Sequence, residues 1–104
     1  MIEKSWGYEN IIYNDEYCVK ELVYTKTIAS SLHYHPLKHE TFYCVSGVFH
    51  VELPGEVRHL TAGQYVVIPA NTPHRVRCTV PGLILESSTH DDPEDCVRLI
   101  PSET

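Results

Sequence analysis

Basic residues, helical periodicity and long apolar runs are all scarce in this chain of 104 residues. Eight Lys and Arg against fourteen Asp and Glu give a formal charge of −6, which disfavours binding to nucleic acid or to an anionic membrane. No stretch approaches the roughly 18 to 20 apolar residues of a membrane span, and the first residues lack the layout of a secretory signal. The sequence therefore predicts a cytoplasmic protein that binds neither nucleic acid nor membrane.

A C-x-x-C motif is also missing, although the chain has four cysteines at positions 18, 44, 78 and 96. Its absence argues against a zinc ribbon and against a thioredoxin-type redox pair. Because nothing indicates export, we expect reduced thiols that pack as small apolar residues. The length predicts one folded unit over residues 1–104, with no separate cofactor domain.

The runs that do recur are short and rich in Val, Ile, Tyr, Thr and Phe, which favours strands. These predicted strands cover residues 11–13, 18–27, 31–35, 41–45, 48–53, 65–68, 74–80 and 83–86. Turn residues separate most of them, including Ser46-Gly47, Pro54-Gly55, Ala62-Gly63 and Pro81-Gly82. This spacing is typical of a small all-β sandwich or barrel. The one exception is a short helical turn expected at Asp92-Pro93, where a capping residue precedes a proline.

Histidine is the residue type that stands out, with seven in the chain. Two of them, His33 and His35, are two positions apart on a predicted strand, so their side chains project from the same face. Glu40 begins the next strand after the turn that Pro36 starts, and His74 begins a distant one. We predict that these four side chains, His33, His35, Glu40 and His74, bind one divalent metal ion.

Three neutral nitrogens and one carboxylate suit Mn, Fe, Co, Ni or Zn, and they leave one or two coordination positions open for a ligand. His39 is an alternative to Glu40 if the turn has a different register. The competing interpretation is that these histidines are surface residues or hydrogen-bonded core residues. The H-x-H pattern on a strand, followed by a glutamate and a later histidine, favours the metal site.

The same residues resemble the two sequence motifs of the cupin superfamily. The first motif, H-x-H, then E, six intervening residues and G, is similar to His33-Tyr34-His35, Glu40 and Gly47. The second is similar to the segment from Gly63 through Pro69 to His74. Thr27, Asn71 and Cys78 depart from the motifs, and of these Asn71 is a mild change because Asn tolerates the left-handed backbone of Gly.

The resemblance implies a cupin double-stranded β-helix, which is a jelly-roll barrel that holds its metal inside, and it assigns the ligands to the four residues named above. Alternation along the strands then places two sets of side chains inside the barrel. They are Glu40, Phe42 and Cys44, and His74, Val76 and Cys78. The two cysteines would lie near the metal without ligating it.

Further positions are similar to the cupin domain of type II mannose-6-phosphate isomerases. The similar segments are Trp6-Gly7-Tyr8, Val19-Lys20, residues 31–35, Lys38-His39-Glu40, residues 68–75, and Asp91-Asp92 with Arg98. By this resemblance, the protein would interconvert an aldose and a ketose, as free sugars or sugar phosphates, with the metal as Lewis acid.

Proton transfer in such a reaction needs a base, and the candidates are Glu86 and Lys38. Lys38 and Arg75 are candidates for holding a phosphate, because both lie next to ligand positions. Each of these charges is equally compatible with an ordinary solvated side chain. Lys20 and Arg98 are expected to be structural.

Two other functions fit the same ligand set: a non-catalytic cupin that binds a small molecule, and an Fe-dependent dioxygenase. Fold alone does not choose between them. We also expect a homodimer, because edge strands of a small jelly roll are commonly covered and the N-terminal quarter is rich in tyrosine. The tyrosines concerned are Tyr8, Tyr13, Tyr17 and Tyr24.

Overall fold

The computed structural model describes residues 1–104 and contains nine β-strands and no helix. The strands are β1 (Ile2–Lys4), β2 (Gly7–Asn14), β3 (Tyr17–Tyr24), β4 (Leu32–Tyr34), β5 (Glu40–Leu53), β6 (Glu56–Leu60), β7 (Tyr65–Ile68), β8 (Arg75–Thr89) and β9 (Val97–Ile100). The fold thus offers no helical segment with the length and apolarity of a membrane crossing. The predicted all-β class is confirmed.

Antiparallel pairing joins the strands into two sheets. The larger sheet has the order β1-β2-β3-β8-β5-β6, and β7 pairs with the first part of β5. The smaller sheet consists of β4 and β9. Together they enclose a cavity, which agrees with the predicted cupin jelly roll.

The strands β5 and β8 are longer than the sequence predicts, because two expected turns are bends inside strands. Gly47 has φ +86°, and a Cβ atom there would lie 2.6 Å from the carbonyl oxygen of Val80. A Cβ atom on Gly82 would overlap the carbonyl oxygen of Ser46. The turns predicted at Ser46-Gly47 and Pro81-Gly82 are therefore wrong: the two glycines let β5 and β8 approach closely at a bulge and continue.

Three strands, β1, β6 and β9, were not predicted from the sequence. β6 and β9 are mostly exposed and lack the buried alternate positions that make a strand recognisable. The expected helical turn near the C-terminus is a single turn, in which the amide of Asp95 donates to the carbonyl of Asp92. It does not extend into a helix, because β9 begins at Val97.

The apolar core fills the interior beside the cavity. Trp6 stacks on Tyr24 with ring centroids 4.1 Å apart, and Tyr24 meets Phe49 edge to face at 5.1 Å. Tyr24 is therefore a core residue rather than the surface aromatic that we expected. The predicted inward positions are confirmed, since all six are at most 4 % exposed: Glu40, Phe42, Cys44, His74, Val76 and Cys78.

Candidate metal centre

Three histidines converge from two distant segments of the chain. His33 lies on β4 and His74 immediately precedes β8; their backbones exchange hydrogen bonds of 3.1 and 2.9 Å. One ring nitrogen of each of His33, His35 and His74 lies within 4.8 Å of the others. The ring centroids are 4.6 Å apart for His33 and His74 and 4.9 Å apart for His33 and His35. This convergence is what the H-x-H pattern and the distant histidine predict.

The turn that delivers His74 depends on Asn71. Its φ is +61°, the left-handed conformation that the family motif usually achieves with glycine. The backbone N–H of Asn71 also donates to the carbonyl oxygen of His35 at 2.8 Å, so the turn before His74 contacts the segment that carries His33 and His35. The substitution of Asn for Gly in this motif is thus compatible with the site.

Backbone carbonyl groups fix the tautomers of two of the three rings. Nδ1 of His35 donates to the carbonyl of Asp95 at 2.6 Å, and Nδ1 of His74 donates to that of Thr72 at 2.9 Å. Because a carbonyl oxygen only accepts, Nδ1 of His35 and Nδ1 of His74 carry a proton, so the lone pair available to a metal ion is at Nε2 of these two rings. Nδ1 of His33 lies 2.8 Å from Oγ of Ser31 and 3.1 Å from the carbonyl oxygen of the same residue.

Glu40 places its carboxylate against two of these lone pairs. Oε1 lies 3.4 Å from Nε2 of His74, and Oε2 lies 3.4 Å from Nε2 of His35. Oε2 of Glu40 and Nε2 of His74 are buried and have no hydrogen-bond partner. These two atoms belong to different contacts, since Oε2 faces His35 and lies 3.3 Å from Nζ of Lys38 while Oε1 faces His74, and a cation bound among the rings would satisfy both of them.

A transition-metal ion meets that need. Metal–ligand bonds of about 2.0 to 2.2 Å hold neighbouring ligand atoms about 3 to 3.5 Å apart. The separations of 3.4 Å between Glu40 and its two histidines match this range. The three histidines can therefore hold a metal ion, and Glu40 borders them at a ligand's distance.

Protonation at neutral pH favours the same conclusion. Burial, together with the neighbouring His74 and His35, lowers the pKa of His33 to about 3. Burial also lowers the pKa of His35. Although burial alone would raise it, proximity to His74 and the Lys38 ammonium lowers the pKa of Glu40 to about 2. These groups thus have the charge states that metal ligands require.

A chain of buried ion pairs extends from Glu40 across the cavity wall. Nζ of Lys38 lies 3.3 Å from Glu40, 3.0 Å from Glu86 and 2.9 Å from Asp91. Nζ of Lys20 lies 3.0 Å from Asp91 and 3.5 Å from Glu9. Four carboxylates and two ammonium groups carry a formal charge of −2, which one divalent cation balances.

The members of this chain have shifted pKa values. Burial raises the pKa of Glu86, and the charge of Glu40 adds to the effect. Burial opposes the charged form of Lys38, but its carboxylate neighbours Glu86, Glu40 and Asp91 raise its pKa overall. Burial likewise opposes ionisation of Asp91, yet its contacts with the two lysines lower its pKa to about 2. Lys38 is therefore held as a cation, whereas Glu86 is the carboxyl group of this chain of ion pairs whose pKa is raised.

The cavity next to these groups has a volume of about 490 Å³. It brings together six of the predicted site residues: His33, His35, Lys38, Glu40, His74 and Glu86. Its remaining wall is partly apolar, with Trp6, Leu22, Tyr24, Phe42 and Val76. A small molecule in the cavity would thus meet polar groups on one side and apolar groups on the other.

Other predicted residues are placed elsewhere. Arg75 does not line the cavity, because its guanidinium donates to the carbonyl oxygens of Ser30 at 2.7 Å and Pro101 at 3.1 Å. His39 is exposed, so the alternative that placed it instead of Glu40 is wrong. Cys44 and Cys78 are buried free thiols outside the cavity wall.

Sequence reasoning missed two residues of this region. Asp95 is 8 % exposed and accepts the amides of Leu37 and Lys38, both at 2.9 Å, while its own carbonyl holds His35. Arg98, expected to be structural, lines the cavity and pairs with His33 in the β4–β9 register. The acidic segment before Arg98 was a visible signal, but its role depends on contacts about sixty positions away.

Comparison with known proteins agrees with this architecture. The family model described as Cupin domain matches residues 21–86. No curated protein matches the chain.

Several solved structures share the fold. KdgF from Halomonas sp. is 24% identical, with a TM-score of 0.76 over 83% of this chain and 80% of that one. DMSP lyase DddQ from Ruegeria pomeroyi is 18% identical, with a TM-score of 0.76 over 86% and 50%. A mutant of Bacillus subtilis oxalate decarboxylase OxdC is 14% identical, with a TM-score of 0.83 over 94% and 29%. At these identities the likeness is one of fold.

Proposed function

Because this chain belongs to the cupin domain family, we propose that it is a metal-dependent enzyme that moves a proton beside a carbonyl group of a small, oxygen-rich substrate. Aldose–ketose isomerisation of a sugar is the reaction of this type that we favour. The observation that supports the proposal is the convergence of three histidines beside Glu40, whose carboxylate oxygens lie 3.4 Å from Nε2 of His35 and of His74, with Nε2 of His74 buried and without a hydrogen-bond partner.

The ligands in this proposal are His33, His35, His74 and Glu40. Their imidazole nitrogens and carboxylate oxygen suit Mn, Fe, Co, Ni or Zn. A bound divalent ion supplies Lewis acidity toward adjacent carbonyl and hydroxyl oxygens of a substrate. The surrounding residues supply everything else: they exclude water, fix the ligands and carry the proton.

Glu86 is the residue that we assign to proton transfer. It lines the cavity, it is 4 % exposed, and its pKa is raised by burial and by Glu40. A carboxylate with a raised pKa can accept a proton from a carbon atom and return it to the neighbouring one. Lys38 touches three carboxylates and stays protonated, so it acts as a positioning residue for Glu86 rather than as a base.

Neither of the two cations that the sequence suggested for a phosphate group is free to bind one. Lys38 is surrounded by carboxylates, and Arg75 is turned toward backbone carbonyls outside the cavity. We therefore do not assign substrate binding to Lys38 or Arg75. The near end of the substrate is better matched by hydroxyl and carbonyl oxygens.

Turnover on a panel of aldoses and ketoses, each with and without a phosphate group, tests the proposal with Mn, Fe, Co or Zn supplied. We expect turnover by the wild type, loss of turnover in Glu86→Gln with metal content unchanged, and normal turnover in Glu94→Gln, an exposed control. Saturable binding of a sugar without turnover would indicate that the protein is a binding protein and not an enzyme. Oxygen consumption by the Fe form would indicate that it is a dioxygenase.

We also propose a cytoplasmic homodimer built from one folded unit over residues 1–104. The four free cysteines, three of them buried, support a reducing compartment. Exposed apolar side chains on the outer strands support self-association, among them Ile11, Ile12, Tyr13 and Tyr17. Sedimentation velocity distinguishes the dimer from a monomer.

A further inference from the structure

Some of the Lys and Arg side chains of this acidic protein have no hydrogen-bonding or ion-pair partner. Of the eight Lys and Arg side chains, five are held by carboxylates or carbonyl oxygens: Lys20, Lys38, Arg58, Arg75 and Arg77. The three without such a partner are Lys4, Lys26 and Arg98. Two of these three, Lys4 and Arg98, line the cavity that contains the histidines.

Arg98 is placed beside the histidine centre by strand pairing. It stands opposite His33 in the β4–β9 register, and paired residues of antiparallel strands project from the same face of a sheet. Both side chains accordingly line the cavity, but Arg98 is exposed, whereas His35 and His74 are buried. Arg98 thus occupies the mouth of the cavity, with the histidines deeper inside.

The larger sheet contributes a second group of donors. Lys4 ends β1, and Ser5 follows it; both line the same cavity. Oγ of Ser5 is buried and has no hydrogen-bond partner. An unpaired hydroxyl inside a cavity loses its hydration without compensation unless a ligand provides an acceptor.

The acidic side chains of the cavity do not cancel these donors. Glu9, Glu40, Glu86 and Asp91 are each in contact with Lys20 or Lys38. Asp92 also lines the cavity, but one of its carboxylate oxygens already accepts the amide of Glu94. With the divalent ion proposed above, the four inner acids are balanced by the ion and the two lysines, whereas the two cations Lys4 and Arg98 exceed the one remaining carboxylate, Asp92.

We infer that the substrate is an organic anion whose carboxylate or phosphate group is bound by Arg98, with Lys4 and Ser5 as further donors, while hydroxyl or carbonyl oxygens at its other end reach the histidine centre. A guanidinium offers paired donors that match either anionic group. This inference names the substrate class and rests on the function proposed above.

Three probes with a common hexose ring test it: glucose, glucuronate and a glucose monophosphate, titrated by calorimetry into Co²⁺-loaded protein. We expect at least one of the two anions to bind about tenfold more tightly than glucose, since one charge-assisted hydrogen bond raises affinity by about this factor. Which anion binds better identifies the group that the mouth accepts. The absorption spectrum of the Co²⁺ ion reports in parallel whether the probe reaches the metal.

The decisive variants are Arg98→Gln and Lys26→Gln, which remove the same charge from the mouth and from a site outside the cavity. Arg98→Gln should remove most of the preference for the anion and leave the metal content unchanged, and Lys26→Gln should bind as the wild type does. Equal binding of glucose and both anions, no binding of either anion, or equal effects of the two variants would overturn the inference.

Failure of the proposed function has a different signature. If the protein takes up no metal, the Lewis-acid reaction is excluded, and the dependence of anion binding on Arg98 is then measured in the metal-free protein. If metal binds and glucose binds as tightly as both anions do, the metal site stands and the anion site fails.

Discussion

The carbonyl oxygen of Asp95 lies 2.6 Å from Nδ1 of His35, a residue sixty positions earlier in the chain. The carboxylate of Asp95 also accepts the amides of Leu37 and Lys38, so one buried residue fixes both the ring and the turn behind it. A hydrogen bond to the second nitrogen of a metal-ligating histidine sets its orientation and its tautomer.

Replacing Asp95 should therefore weaken metal binding without touching a ligand. In Asp95→Ala the two amides lose their acceptor, and the turn that aims His35 loosens. We expect metal affinity to fall about ten- to hundredfold, the range for partners of this kind, as measured by competition with a chromogenic chelator. Glu94→Gln, an exposed neighbour, serves as control, and an equal affinity of the two variants would contradict the prediction.

Metal content is the most direct prediction from the histidine cluster. Elemental analysis of the purified protein should give about one divalent transition-metal ion per chain. His35→Ala and His74→Ala should each lose the ion while circular dichroism still shows the β-fold, because the core lies beside the site rather than within it. His39→Ala, which changes an exposed histidine in the turn before β5, should keep the ion.

Acid should destabilise the metal-free protein because His33 is buried as a neutral ring. The pKa of His33 falls from 6.5 to about 3 on folding, so the unfolded chain takes up a proton between these values and the folded chain does not. The resulting stability is complete above about pH 6.5 and is lost as the pH falls toward about 3. Between neutral pH and pH 5 we expect a loss of about 2 kcal/mol from this residue.

Urea denaturation with a chelator present measures that loss. His33→Gln should flatten the pH dependence over this window, whereas His39→Gln should retain it. A wild-type stability that does not change between pH 7 and pH 5 would contradict the assignment of a neutral, buried His33.

Substitution of two glycines with nearly equal φ angles distinguishes the cost of backbone strain from the cost of a steric clash. Gly47 (φ +86°) and Gly63 (φ +87°) would both be strained by a side chain, but a Cβ atom meets a backbone atom only at Gly47. We expect Gly63→Ala to cost about 1 kcal/mol and Gly47→Ala about 2 to 3 kcal/mol more. Thermal or chemical denaturation of the two variants measures these costs. Equal losses of unfolding free energy would mean that β5 and β8 are not in close contact at this bend.

The convergence of the three histidines beside Glu40 was predictable because each position depends on a local rule. Alternation along a strand places His33 with His35 and aligns Glu40 with Phe42, and the turn before His74 tolerates Asn71 in a left-handed conformation. The partners of Lys38 were not predictable, because they come from positions 86 and 91 and are selected only when β8 and the segment after it pack beside the turn.

The difference between local rules and long-range contacts also explains which predictions of the fold were wrong. Glycine next to Ser46 or Pro81 indicates a turn by its local chemistry. In the folded protein these glycines serve a long-range contact between two strands, which no short window of sequence reveals. Arg98 was assigned a structural role for a similar reason, since its place at the cavity depends on pairing with β4.

The pairing of β4 with β9 has a consequence for how the protein matures. The strand that carries His33 is only three residues long, and its sheet partner comes from far along the chain. Contacts between distant segments are the slow ones in folding, because loop-closure entropy must be overcome first. The barrel can accordingly assemble most of its core before the three histidines are aligned, so an ion bound by them would enter late in folding and would not nucleate it.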